Sequence, residues 1–146
     1  MIPIDKRPIP SEILRDSAIA HIAQAYFSIA KRLEQKTGCS ATRGFIFSTL
    51  RGGAALNQNQ IAKLLGFDRT VVHRSIKGMI REGLITERKA DSGRALLLHL
   101  TAKGNKYSDH LIRERRAVDE KLRRVLRPHE ISTLIRLLDV AAALEI

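Results

Sequence analysis

Between Asn57 and Gly83 the chain holds two short helical patterns separated by only three residues, Gly66, Phe67 and Asp68. No other feature limits the fold as tightly. "QNQIAKLL" follows Asn57, a good N-cap, and is closed by Gly66. "RTVVHRSIKGMIR" follows Asp68, a second cap residue, and is closed by Gly83. Two short helices on a glycine-containing turn of this length predict a helix-turn-helix. After Gly83 the period changes. "LITER" and "ALLLHL" are β-compatible runs on either side of "KADSGR", a polar tip with Asp91, Ser92 and Gly93, and together they predict a β-hairpin. Helix, turn, helix and hairpin in that order predict a winged helix-turn-helix.

The flanks read as helix. Pro3, Pro8 and Pro10 make residues 1–10 an extended or loose arm. Ser11 is a candidate N-cap for a long amphipathic helix through Ile19, Ile22, Tyr26, Ala30 and Leu33, stopped by Gly38. A further helix spans about 41–50. Thr101 caps a long helix with Tyr107, Leu111, Val118, Leu122 and Val125 on one stripe, and Pro128 opens the last. The predicted class is mainly α with a small β-hairpin wing. A single domain, 11–146, follows the arm, with the winged core at about 40–101 between helices at about 11–37 and 102–146. Ile13, Leu14, Ile19, Ile22, Leu134, Leu138, Ala141 and Leu144 are more apolar surface than one small core covers, so a two-fold homodimer is expected.

The net charge is +11, from 26 Lys and Arg against 15 Asp and Glu, which favours a polyanionic partner. Double-stranded DNA is the first candidate. The charge is spread along the chain, so position must locate the surface. The second helix of the helix-turn-helix has no acid between Asp68 and Glu82. Thr70, His73, Arg74 and Lys77 are spaced 3, 1 and 3 and share a face, with Arg69 at the helix start. Val72, Ile76, Met79 and Ile80 share another. A DNA major groove about 12 Å wide admits one helix, where Arg reaches guanine bidentately and Thr meets a thymine methyl. Lys89 and Arg94 at the hairpin tip are candidate phosphate or minor-groove contacts. A solvated basic face is the bland alternative. A non-specific architectural DNA protein is the competing function, with the same charge but no need of a separate reading face. An enzyme is not expected, because the sequence offers no nucleophile–His–acid set, metal-ligand spacing or glycine-rich phosphate loop. No cofactor or metal is called for. Cys39, the one cysteine, allows no internal disulfide, and a small apolar structural role outweighs a redox one. The N-terminus lacks a signal core and no run is long enough to span a bilayer, so a cytoplasmic protein is expected.

The segment Asn57–Gly104 resembles the DNA-binding core of the MarR family of bacterial regulators. The matching features are "IAKLLG", the "MIREGLI" helix end followed by "ER", and the "L-T-x-x-G" that closes the wing. The flanking helices, ending in "LRPHEISTLIRLL", are similar to that family's dimerisation helices. The resemblance implies a transcription regulator, a repressor, binding a palindromic operator as a homodimer. It also implies a small anionic or phenolic effector, for which Arg15, His21, Tyr26, Arg43, Phe45 and Phe47 are the candidates near the junction of dimer helices and winged core. Arg74 matches the family's recognition-helix arginine, and Arg94 its wing arginine. One departure stands out. The family's wing carries an acid two residues before the arginine, whereas Asp91 lies three before Arg94 in a shorter tip.

Overall fold

A computed structural model describes residues 15–53 and 55–145, which form two compact units, 15–113 and 114–145. The expected arm at 1–10, the Ser11 cap, Ile13 and Leu14 lie outside the described residues. The first unit carries α1 (Ala18–Thr37), α2 (Ala41–Arg51), α3 (Gln58–Leu65), α4 (Arg69–Arg81), β1 (Ile85–Lys89), β2 (Leu96–Leu100) and the start of α5 (Ala102–Val125). The second carries the rest of α5 and α6 (Pro128–Ala142).

Short polar side chains set the helix starts. The Ser17 hydroxyl accepts the Ala20 N–H at 3.2 Å, so the described α1 begins later than the start expected after Ser11. Ser40 caps α2 through the Arg43 N–H. Asn57 and Gln60 exchange bonds in a capping box at the head of α3, at 2.9 and 2.8 Å. Thr101 caps α5 by accepting the Gly104 N–H at 3.0 Å. Gly66 ends α3 at φ 65°, a left-handed conformation that glycine adopts without cost, and it lets the chain turn into α4 within three residues.

The hairpin is antiparallel, with Ile85 opposite Leu100 and Lys89 opposite Leu96. β1 lies one residue further along than "LITER" suggests, and β2 starts one residue inside "ALLLHL". One pairing was not legible in the sequence. Leu56 bridges Leu98, whose N–H donates to the Leu56 carbonyl at 2.9 Å, and so ties the hairpin to the segment before α3. A single paired residue carries no alternation to recognise.

The core of the first unit joins Ile46, Phe47 and Leu50 of α2, Ile61 and Ala62 of α3, Val72, Ile76 and Met79 of α4, and Leu84, Ile85 and Leu98 of the hairpin. Each large side chain buried there contributes roughly 1.5–3 kcal/mol. The α4 apolar face therefore packs as expected, except that Ile80 is half-buried. Tyr107 of α5 tilts against Phe47 with ring centres 5.4 Å apart, and its hydroxyl donates to the Thr37 carbonyl at 2.9 Å. In the second unit, Pro128 stands in the first turn of α6 and Glu130 accepts the Arg127 N–H at 2.6 Å. Ile131 is buried, while Leu134, Ile135, Leu137, Leu138 and Val140 are exposed. Among the described residues no helix is long and apolar enough to cross a membrane.

Candidate nucleic-acid interface

The cationic face of α4 is held outward by the burial of its opposite face. Val72, Ile76 and Met79 are fully buried, which fixes the rotation of the helix and leaves Thr70, Arg74 and Lys77 exposed. These three, with Arg69, His73 and Arg81, line one open depression of about 540 Å³. Asp68 acts as the cap, its Oδ1 accepting the Thr70 and Val71 N–H groups at 2.8 and 3.2 Å. Its charge is thereby directed at the helix start, where the dipole favours it.

One of the predicted residues differs from the expectation. His73 is half-buried rather than open on the stripe; its Nε2 is covered and has no hydrogen-bond partner among the described residues. The reason is its place beside Val72 and Ile76, at the border of the packing face. Arg69 is exposed at the helix start and also donates to Asn59 Oδ1 at 2.7 Å across the turn to α3. Two further cations, not among the predicted residues, line these depressions. Arg81 lies four after Lys77 and so on the same face, a spacing visible in the sequence. Lys63 joins Asn59, Gly66, Phe67 and Arg69 around a second open depression at the turn; only the tertiary turn brings it there.

The wing tip carries Lys89 and Arg94, both exposed. Among the described residues no ion pair joins Asp91 to Arg94, so the acid does not brace the arginine. The wing is braced instead by Gln58, whose Nε2 donates to Glu87 Oε1 at 2.8 Å and links β1 to α3.

The far end of α4 is gripped from two sides. Arg43 of α2 donates from Nη1 and Nη2 to the two carboxylate oxygens of Glu82, at 2.9 and 2.8 Å. The hydrogen bonding holds the Glu82 carboxyl below the usual range and raises Arg43 above its own. Lys103 of α5 donates to the Glu82 carbonyl at 2.7 Å, and Thr101, the residue that caps α5, to the Gly83 carbonyl at 2.6 Å.

The six effector candidates have differing surroundings. Phe47 is 1% exposed and is a core ring, stacked at a tilt on Tyr107 of α5. Arg43 is engaged by Glu82. Phe45 meets the edge of Phe67 at 5.7 Å, and Tyr26 that of Phe27 at 5.5 Å. His21 Nδ1 donates to the Ser17 carbonyl at 2.8 Å, and Arg15 is exposed. Cys39 is buried in the core cluster.

The sequence model of the MarR family matches residues 45–95, from the middle of α2 to the wing tip. No curated protein matches the chain. Among solved structures, the chain is similar to MepR of S. aureus in a complex with DNA, with 18% identity, a TM-score of 0.77, and coverage of 92% of this chain and 100% of that one. It is similar to PcaV of Streptomyces coelicolor with its natural ligand bound, with 19% identity, a TM-score of 0.76, and coverage of 90% and 96%. The transcriptional regulator SlyA is 25% identical, with a TM-score of 0.70 and coverage of 90% and 92%. Residues 45–95 thus match the MarR family model, in a chain that shares its fold with MepR, SlyA and PcaV.

Proposed function

We propose that the chain is a sequence-specific DNA-binding regulator of the cytoplasm, a repressor that binds a palindromic operator as a homodimer and answers to a small anionic or phenolic effector. The observation that carries this reading is the face of α4. Thr70, Arg74, Lys77 and Arg81 stand together on one side of a single helix that carries no acid. Such a face fits one major groove, with Arg74 toward base edges and Lys77 and Arg81 toward phosphates. Arg94 and Lys89 of the wing would add backbone contacts. A non-specific architectural protein would need the charge but not a reading face set apart from the wing.

Dimerisation is supported by α6. Apolar residues point out on more than one side of it, and a helix of that kind is covered in the working state. A two-fold dimer places two α4 helices on half-sites about 34–36 Å apart. Support for an effector comes from PcaV, which is held with a natural ligand. Of the candidates here, Arg15, His21, Tyr26 and Phe45 keep exposed or half-buried surface for one. Selection of bound fragments from a random duplex pool tests the reading. The expected product is a two-fold-symmetric sequence with half-site centres about 10 base pairs apart; an unenriched pool rejects it in favour of the architectural alternative.

A further inference from the structure

The grip on the end of α4 has a consequence for what its other end touches. Thr70 and Glu82 mark the two ends of a helix roughly 20 Å long, at about 1.5 Å per residue. A tilt of ~10° about the Glu82 end carries the Thr70 end sideways by about 3 Å, which is the whole length of a hydrogen bond. Whatever sets the seat of Glu82 therefore sets whether the α4 side chains reach a base.

The Arg43–Glu82 pair is suited to that task. A planar guanidinium bonded through both terminal nitrogens to both carboxylate oxygens fixes orientation as well as distance. As a source of stability it is weak, because the side chains remain 26% and 49% exposed and solvent screens them. The local sequence is adapted to it. Gly78 is a buried position in mid-helix, where glycine disfavours the helix, yet a Cβ there would stand 2.6 Å from Arg43 Nη2. The missing side chain is the space that the guanidinium fills. A methyl at 78 would push aside a flexible side-chain end and no backbone atom.

We propose that Arg43 and Glu82 are positioning residues of DNA reading, the pair seating the last turn of α4 on α2 so that Thr70, Arg74, Lys77 and Arg81 meet the duplex at one angle. The inference rests on the reading of α4 as the base-reading helix. Arg43 accordingly serves as a strut rather than as an effector ligand.

Charge and position are separable here, because Arg43→Gln lowers the net charge by one and Glu82→Gln raises it by one. Binding to the operator selected by the wild type, and to a random duplex of equal length, is measured for both by fluorescence anisotropy. Both are expected to lose about fivefold or more on the operator, the lower end of what one bidentate base contact provides. Random-duplex affinity is expected to shift in opposite directions, following the charge. The exchanged pair, Arg43→Glu with Glu82→Arg, is expected to recover most of the operator affinity. Gly78→Ala supplies the folding-independent arm. It is expected to raise the melting temperature through helix propensity and yet lower operator affinity, and to cost nothing further in the Arg43→Gln background. Operator affinity unchanged in Arg43→Gln and Glu82→Gln, or a loss that follows only net charge or melting temperature, overturns the proposal. A wild type that selects no operator removes the reading beneath it, a result distinct from a selective wild type indifferent to the pair.

Discussion

Gly104→Ala is expected to destabilise the protein, although alanine is the better helix former. Gly104 lies in the first turn of α5, and a Cβ on it would stand 2.0 Å from the Leu84 carbonyl oxygen and 2.9 Å from its carbon. Carbon and oxygen in contact keep about 3.3 Å apart, so the strand entry and the helix must separate by roughly 1 Å. Unlike the arginine tip beside Gly78, this obstacle is backbone, and it is in use. The same carbonyl accepts the Thr101 N–H at 3.1 Å, and Thr101 is the residue that caps α5 and holds Gly83. Overpacking of this kind costs about 1–3 kcal/mol and the strained hydrogen bond about 1 more. Helix propensity returns at most about 1, less in a first turn. The net loss is about 1–3 kcal/mol out of a total of roughly 5–15. Urea unfolding followed by circular dichroism, at one matched protein concentration, reads the difference directly. Gly93→Ala is the control, since a Cβ there meets nothing within 4 Å, and it should fall within about 0.5 kcal/mol of the wild type. A Gly104→Ala protein as stable as the wild type would refute the packing argument at this junction.

Other expectations concern binding and assembly. Arg74→Ala leaves the buried face of α4 intact and should cost about 1–3 kcal/mol, concentrated at one base pair per half-site, as read by repeated selection with the variant. Lys77→Ala should lower affinity without changing the selected sequence. Arg94→Ala should weaken cognate and random DNA alike and flatten the salt dependence by about one unit of slope per lost phosphate contact in each subunit; a loss confined to the cognate site would mean that the wing reads bases. Sedimentation at micromolar concentration should give about twice 16.4 kDa for the wild type, and Leu138→Lys, which puts a charge on the exposed apolar side of α6, should shift it toward the monomer.

The helix-turn-helix was legible because its punctuation is local. Asn57, Gly66, Asp68 and Gly83 each act on the backbone within a turn of themselves, so their effect is readable without the rest of the fold. The buried face of α4 was legible from its period for the same reason. Contacts made by a single residue across a distance were not legible. The Leu56–Leu98 bridge, the Arg69–Asn59 bond and the Arg43–Glu82 pair join positions 42, 10 and 39 residues apart, and no pattern in the intervening sequence encodes them. His73 fell between these cases. Its spacing puts it on the polar stripe, but the stripe is about 100° wide, and its edge is decided by how deeply α4 sinks into the core.

The single glutamate that ends the acid-free run explains why the face can remain wholly cationic. Glu82 would be an ordinary solubilising acid if it stood on the stripe, where it would repel phosphate. It stands instead at the helix C-cap, with both oxygens taken by Arg43 and its carbonyl by Lys103. The acid at the other end is similarly engaged, with Asp68 accepting the first two N–H groups of α4. The two carboxylates that flank the stripe in sequence are thus directed at the protein, one at a helix dipole and one at an arginine. The cations between them face outward with no partner acid on their own helix. Net charge draws the chain toward a polyanion without choosing a surface. On the proposed reading, the surface is chosen by where the acids are committed.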